Sequence, residues 1–143
     1  MINNKILLVA LPFMLMACSK GGNSPTPITP PVVVVPEADI AFKVEIASTE
    51  IDYNYPYGAP GGIQTINVNI TSTLPKDGVT IDVKVTKDAD NTVVFNKNIP
   101  SITASNAIII SGLLTEKSTA TVLVTSKTKS ANAATKTFKI SAK

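Results

Sequence analysis

The chain contains no histidine, no arginine and no tryptophan, and it has a single cysteine, Cys18. All thirteen basic residues are lysines, and aromatic residues make up only 5% of the sequence. Each absence excludes a chemistry. Metal centres built on histidine or on several cysteines cannot form. Neither a Ser-His-Asp nor a Cys-His catalytic unit can be assembled. Without arginine there is no planar fork for bidentate phosphate or base recognition. The lysines are spread along the chain rather than gathered, so nucleic acid is not an expected partner. Enzyme chemistry is left with carboxylates, serine and lysine. No short motif marks a Ser–Lys or paired-carboxylate unit, and a small β domain offers little room for an enclosed pocket. The expectation is a non-enzymatic protein with no cofactor. What the sequence does have is apolar: 44% hydrophobic against 16% charged in 143 residues, enough for one folded domain.

The N-terminus carries one positive charge, Lys5, followed by an apolar run from Ile6 to Ala17. A membrane-spanning helix needs about 20 apolar residues. This shorter run, interrupted by Pro12, has the length of a secretory signal segment. It ends at Leu15-Met16-Ala17-Cys18. That motif resembles the lipobox of bacterial lipoproteins, in which the cysteine thiol receives a diacylglyceryl group, a peptidase cuts before it, and the new amino group is usually acylated. The resemblance implies that residues 1–17 are a signal peptide and that Cys18 is the lipidated first residue, holding the protein to a membrane. The competing reading is an ordinary cleavage that leaves Cys18 as a core residue. Two or three acyl chains bind a bilayer far more firmly than one, at about 0.8 kcal/mol per buried CH₂.

Enteric-type lipoproteins kept in the inner membrane carry Asp directly after the cysteine. Ser19 stands there, so the resemblance implies the outer membrane. Some Gram-negative groups export lipoproteins to the cell surface on acidic residues after the cysteine. Ser19-Lys20-Gly21-Gly22-Asn23 has none, which favours the periplasmic leaflet. Loss of residues 1–17 removes Lys5 and lowers the net charge from +3 to about +2.

Residues 18–38 read as a tether. Pro25, Pro27, Pro30, Pro31 and Pro36 fix the backbone in an extended, partly polyproline-II form. At about 3.1 Å per residue, such a segment holds a domain up to roughly 60 Å from the lipid. Val32 to Val35 favour extended structure and are flanked by prolines. They suit an edge strand, in this domain or in a partner's sheet, or a plain apolar stretch of linker.

From Asp39 to Lys143 the pattern has a period of two. Ile40, Phe42, Val44 and Ile46 alternate with polar or small residues, as do Ile66, Val68 and Ile70, and Val79, Ile81, Val83 and Val85. Such alternation marks half-buried strands. Further apolar runs are Val93-Val94-Phe95, Ile108-Ile109-Ile110, Val122-Leu123-Val124, and Phe138 with Ile140. Turn residues separate them at Tyr57 to Gly62, Leu74 to Gly78, Asp88 to Asn91, Asn98 to Ser101 and Ser130 to Asn132. Strands are expected near 40–48, 63–72, 79–87, 92–97, 106–113, 118–127 and 134–142. About seven strands of this kind form an all-β, antiparallel, immunoglobulin-like β-sandwich.

Leu114 to Val124, with Leu114, Val122 and Val124 in phase, resembles the corner and following strand of fibronectin type III domains. The tyrosine that makes the corner hydrogen bond in that family is replaced by Ala120. The resemblance therefore implies the architecture without that bond.

Three groups are candidate sites. Tyr53, Tyr55 and Tyr57 are all the tyrosines of the chain. Their spacing of two puts them on one face of a strand, either as an exposed platform for stacking on a glycan or as packing over the open end of the sandwich. Asp88, Asp90 and Asn91 form half of an oxygen-rich loop, but Ca²⁺ takes 6–8 oxygens, and a polar hairpin explains the same residues. Lys127, Lys129, Lys136, Lys139 and Lys143 make the C-terminal hairpin basic, suited to anionic headgroups or to guarding an edge strand. Taken together, the expectation is a lipid-anchored interaction or adhesion domain. Its partner would be another envelope protein, or an extracellular glycan bound through the tyrosines. A third possibility is a structural subunit that assembles by strand addition through Val32–Val35.

Overall fold

The computed structural model describes residues 35–143. Cys18, residues 1–17 and the tether as far as residue 34 lie outside the described residues. The described chain is all-β: nine strands in two sheets, with one short 3₁₀ turn and no α-helix.

The strands are β1 (Phe42–Ile46), β2 (Thr49–Glu50), β3 (Tyr57–Ala59), β4 (Gln64–Ile70), β5 (Val79–Lys87), β6 (Val93–Ser101), β7 (Ser105–Ile110), β8 (Ser118–Ser126) and β9 (Ala133–Ala142). One sheet has the order β2-β1-β4-β7 and the other β3-β9-β8-β5-β6. Every pairing is antiparallel except β3 with β9. Each of the seven expected segments forms a strand, and β2 and β3 are additional. Both are too short to show a period in the sequence. β3 lies within the expected Gly-rich loop, where Tyr57, Gly58 and Ala59 pair with Ile140, Ser141 and Ala142.

The period of two decides which side chains go inside. In β5, Val79, Ile81, Val83 and Val85 are buried. In β8, Ala120, Val122 and Val124 are buried while Leu123 points to the other face. From the other sheet come Phe42 and Val44, Ile66, Val68 and Ile70, and Ile108 and Ile110. These residues of both sheets form one apolar core. Ala120 is buried directly opposite Phe138 in the β8–β9 register. A small residue there leaves room for the Phe138 ring, which meets Tyr57 edge-on at 6.4 Å.

The end of β6 differs from the expected turn at Asn98 to Ser101. The strand runs through Pro100, paired with Thr80, to Ser101. Proline is tolerated because β6 is an edge strand with β5 as its one neighbour, so no second ladder needs the missing N–H. The turn lies after Ser101. There the Ser101 hydroxyl accepts the Thr103 N–H at 3.0 Å and donates to Asn106 Oδ1 at 2.5 Å. Gly78 sits against this turn with φ of 79°. A β-carbon at Gly78 would run into the Ser101 carbonyl, so the expected Gly at this bend is required twice over.

Candidate functional site

The three tyrosines do not share a strand face, in contrast to the spacing argument. Tyr53 is in a turn, Tyr55 in a bend, and Tyr57 begins β3. The 51–57 segment folds back on itself instead of extending. Tyr53 Oη accepts the Val44 N–H at 3.2 Å, and Tyr57 Oη accepts the Asp52 N–H at 2.6 Å. Both rings are half-buried and pack on the core. Asp52 closes the bend by accepting the Asn54 N–H through its carboxylate at 2.9 Å. Tyr55 is 68% exposed and presents its ring to solvent.

Lys136 completes the packing over this corner. It lies on the same side of β9 as Phe138, with its ammonium 4.4 Å from the Tyr53 ring centroid and 5.9 Å from that of Phe42. Its Nζ is 4.0 Å from Glu50, which Lys43 also contacts at 3.1 Å. The ring faces stabilise the cation where water is partly excluded.

The other hairpin lysines are dispersed. Lys139 donates to the Asp88 carboxylate at 2.8 Å and to the Thr119 hydroxyl at 2.7 Å. Lys127 and Lys129 are exposed around the β8–β9 turn. The Lys143 side chain lies over Gly58, where a β-carbon would stand. The basic character read from the linear sequence is thus divided among separate faces.

At the β5–β6 turn, the Asp88 carboxylate also accepts the Thr119 hydroxyl at 2.5 Å. Asp90 accepts the Thr92 N–H at 2.9 Å. The Lys139 and Thr119 hydrogen bonds hold the Asp88 carboxyl below its usual range, and the Thr92 bonds do the same for Asp90. Lys87 contacts Glu116 at 2.9 Å, and that hydrogen bond raises its ammonium above the usual lysine value. Asn91 has φ of 60°, a conformation that asparagine tolerates in turns. The carboxylates expected in an oxygen-rich loop therefore serve the β5–β6 turn and tie it to β8 and β9.

One residue with a positioning role was read in the sequence only as a turn marker. Asn132 is buried and its amide is fully engaged. Its Oδ1 accepts the Ile40 N–H at 2.8 Å, and its Nδ2 donates to Ala38 O at 2.8 Å and Glu37 Oε1 at 2.6 Å. Its own backbone carbonyl accepts the Ser126 N–H at 2.9 Å, closing the β8–β9 turn. Asn132 thus fixes where the chain enters the domain. The partners stand more than ninety residues apart in sequence, and no local pattern announces them. Beside this entry lies an open groove of about 380 Å³, lined among others by Pro36, Ala38, Leu74, Pro75 and Lys76. Val35, on the same rim, is exposed.

No family model matches the sequence, and no curated protein matches it either.

Proposed function

We propose that this is a lipid-anchored, non-enzymatic cell-envelope protein whose single immunoglobulin-like domain binds another envelope protein. The observation that carries the reading is the motif Leu15-Met16-Ala17-Cys18 at the end of the apolar run, followed directly by a proline-rich stretch and one β domain. The anchor would be acyl chains on Cys18 in the outer membrane, with the periplasmic leaflet as the preferred side.

The strand order supports the immunoglobulin-like assignment. Such domains set strands A, B and E against C, F and G. The strands β1, β4 and β7 against β5, β8 and β9 follow that division, with β6 beside β5 as an added C′ strand. The segment resembling a fibronectin type III corner then falls between E and F, at Leu114 to Val124. A glycan-binding reading would depend on Tyr55, because the Tyr53 and Tyr57 rings are engaged in the fold. One exposed ring is a small platform for a sugar, and the protein-binding reading is preferred on that ground.

Expression of the full chain and its Cys18→Ala variant in a Gram-negative host tests the anchor. The parent protein is expected in the membrane fraction and the variant in the soluble fraction. Membrane retention of a variant that has nonetheless lost residues 1–17 would refute anchoring through Cys18. Pull-down with the lipidated protein from detergent-solubilised envelope tests the partner. A specific envelope protein supports the reading. Recovery of none, with ready protease shaving of intact cells, refutes it in favour of an extracellular ligand.

A further inference from the structure

We infer that β7 is a self-association edge, on which a second copy of this chain pairs its own β7 in antiparallel orientation. Among the described residues, the two sheets present four edge strands. Unpaired edges template association unless they are blunted by shortness, charge, proline or irregularity. β2 and β3 are only two and three residues long. β6 carries Lys97 and Pro100, and its register with β5 shifts at Val85/Thr86. β7, Ser-Asn-Ala-Ile-Ile-Ile, has none of these devices. No charged residue occurs between Lys97 and Glu116, or between Asp52 and Lys76, so both β7 and its neighbour β4 are uncharged.

The backbone geometry leaves a usable ladder. The Ile70 N–H donates to Ala104 O at 2.8 Å, which marks Ile70 and Ala104 as a hydrogen-bonded pair of the β4–β7 ladder. Bonded and non-bonded pairs alternate in antiparallel strands. In the observed register, Asn106, Ile108 and Ile110 therefore direct their backbone groups at β4. Ser105, Ala107 and Ile109 direct theirs to the other edge, which has no partner strand among the described residues. The Ser105 carbonyl accepts a hydrogen bond from Thr103 at 3.2 Å and keeps its second lone pair.

A second copy fits this edge better than an unrelated strand. Two β7 strands about a two-fold axis at Ala107 set Ser105 against Ile109 and Ala107 against Ala107. Every pair is uncharged, no lone charge is desolvated, and both edges are consumed in a closed, isologous contact. On the outer face the contact covers Ile109, now 57% exposed. Such a ladder is smaller than a standard stable interface of about 1,600 Å², so the association is reversible. It does not depend on how the chain is anchored.

Sedimentation analysis of the full chain in density-matched detergent tests this with two variants. Ala107→Lys places two like charges side by side at the axis, and its exposed position keeps the monomer fold, as circular dichroism would verify. Asn96→Lys adds the same charge to the exposed face of β6. The parent chain is expected to show a concentration-dependent monomer–dimer equilibrium. Ala107→Lys should weaken it severalfold, up to about fivefold, and Asn96→Lys should leave it unchanged. A strict monomer at every soluble concentration would overturn the inference. So would equal dimerisation of Ala107→Lys, or equal weakening by both variants.

Discussion

Phe138→Ala is expected to destabilise the domain by about 3–5 kcal/mol. Phe138 is among the largest fully buried side chains, and its ring is set between the small Ala120 and the edge-on Tyr57. Truncation removes the transfer free energy of the ring and leaves a cavity. Strands β8 and β9 hold each other through a long ladder, and β8 is held in turn by β5, so they cannot collapse into that cavity without breaking register. The loss is a large share of the roughly 5–15 kcal/mol that stabilises a typical domain. It should lower the melting temperature by roughly 15–25 °C. Phe138→Leu, which keeps most of the volume, should cost clearly less. Chemical denaturation of the two variants measures both values. A loss below about 1 kcal/mol for the alanine variant would mean that the two sheets do not share one tightly packed core.

Asn132→Ala is expected to cost about 1–3 kcal/mol, although only one polar side chain on a turn is removed. The effect follows from what the amide satisfies. The Ile40 N–H loses its acceptor in a buried position, and Ala38 O and the Glu37 carboxylate lose their donor. A second consequence is local. Residues 37–40 are no longer pinned to the β8–β9 turn, so hydrogen exchange at Ile40 should accelerate more than at Val83 in the centre of β5. Uniform acceleration at both amides would assign Asn132 to global stability alone and not to fixing the start of the domain. Asn132→Asp, which keeps one acceptor and loses the donor, should retain the bond to Ile40 but not those to Glu37 and Ala38.

Much of the fold was legible because its strands alternate cleanly. Val79 to Lys87 reads polar and apolar in strict turn, and β5 has those bounds. Where alternation fails, the sequence misleads. Pro100 looks like a turn residue and is an edge-strand residue, because tolerance of proline depends on whether a second neighbour exists in the sheet. The spacing of Tyr53, Tyr55 and Tyr57 implies a shared face only if the chain stays extended. The Asp52 bend and the tyrosine hydroxyl contacts fold that stretch back. Asn132 illustrates the other limit. Its side chain matters because of residues far away in sequence, and a turn-forming asparagine looks the same whether its amide faces solvent or closes a buried junction. The uncharged edge at β7 was in plain sight as Ile108-Ile109-Ile110. That β7 is an edge is a property of the topology and not of its own residues.

The lipid-anchored reading stands on Cys18, and the intact mass of the full-length gene product, isolated from a membrane fraction, tests it most directly. The expected product begins at Cys18, lacks residues 1–17, and carries a diacylglyceryl thioether with an acylated amino group. A chain that retains residues 1–17, or one that bears an unmodified Cys18 thiol, would contradict it.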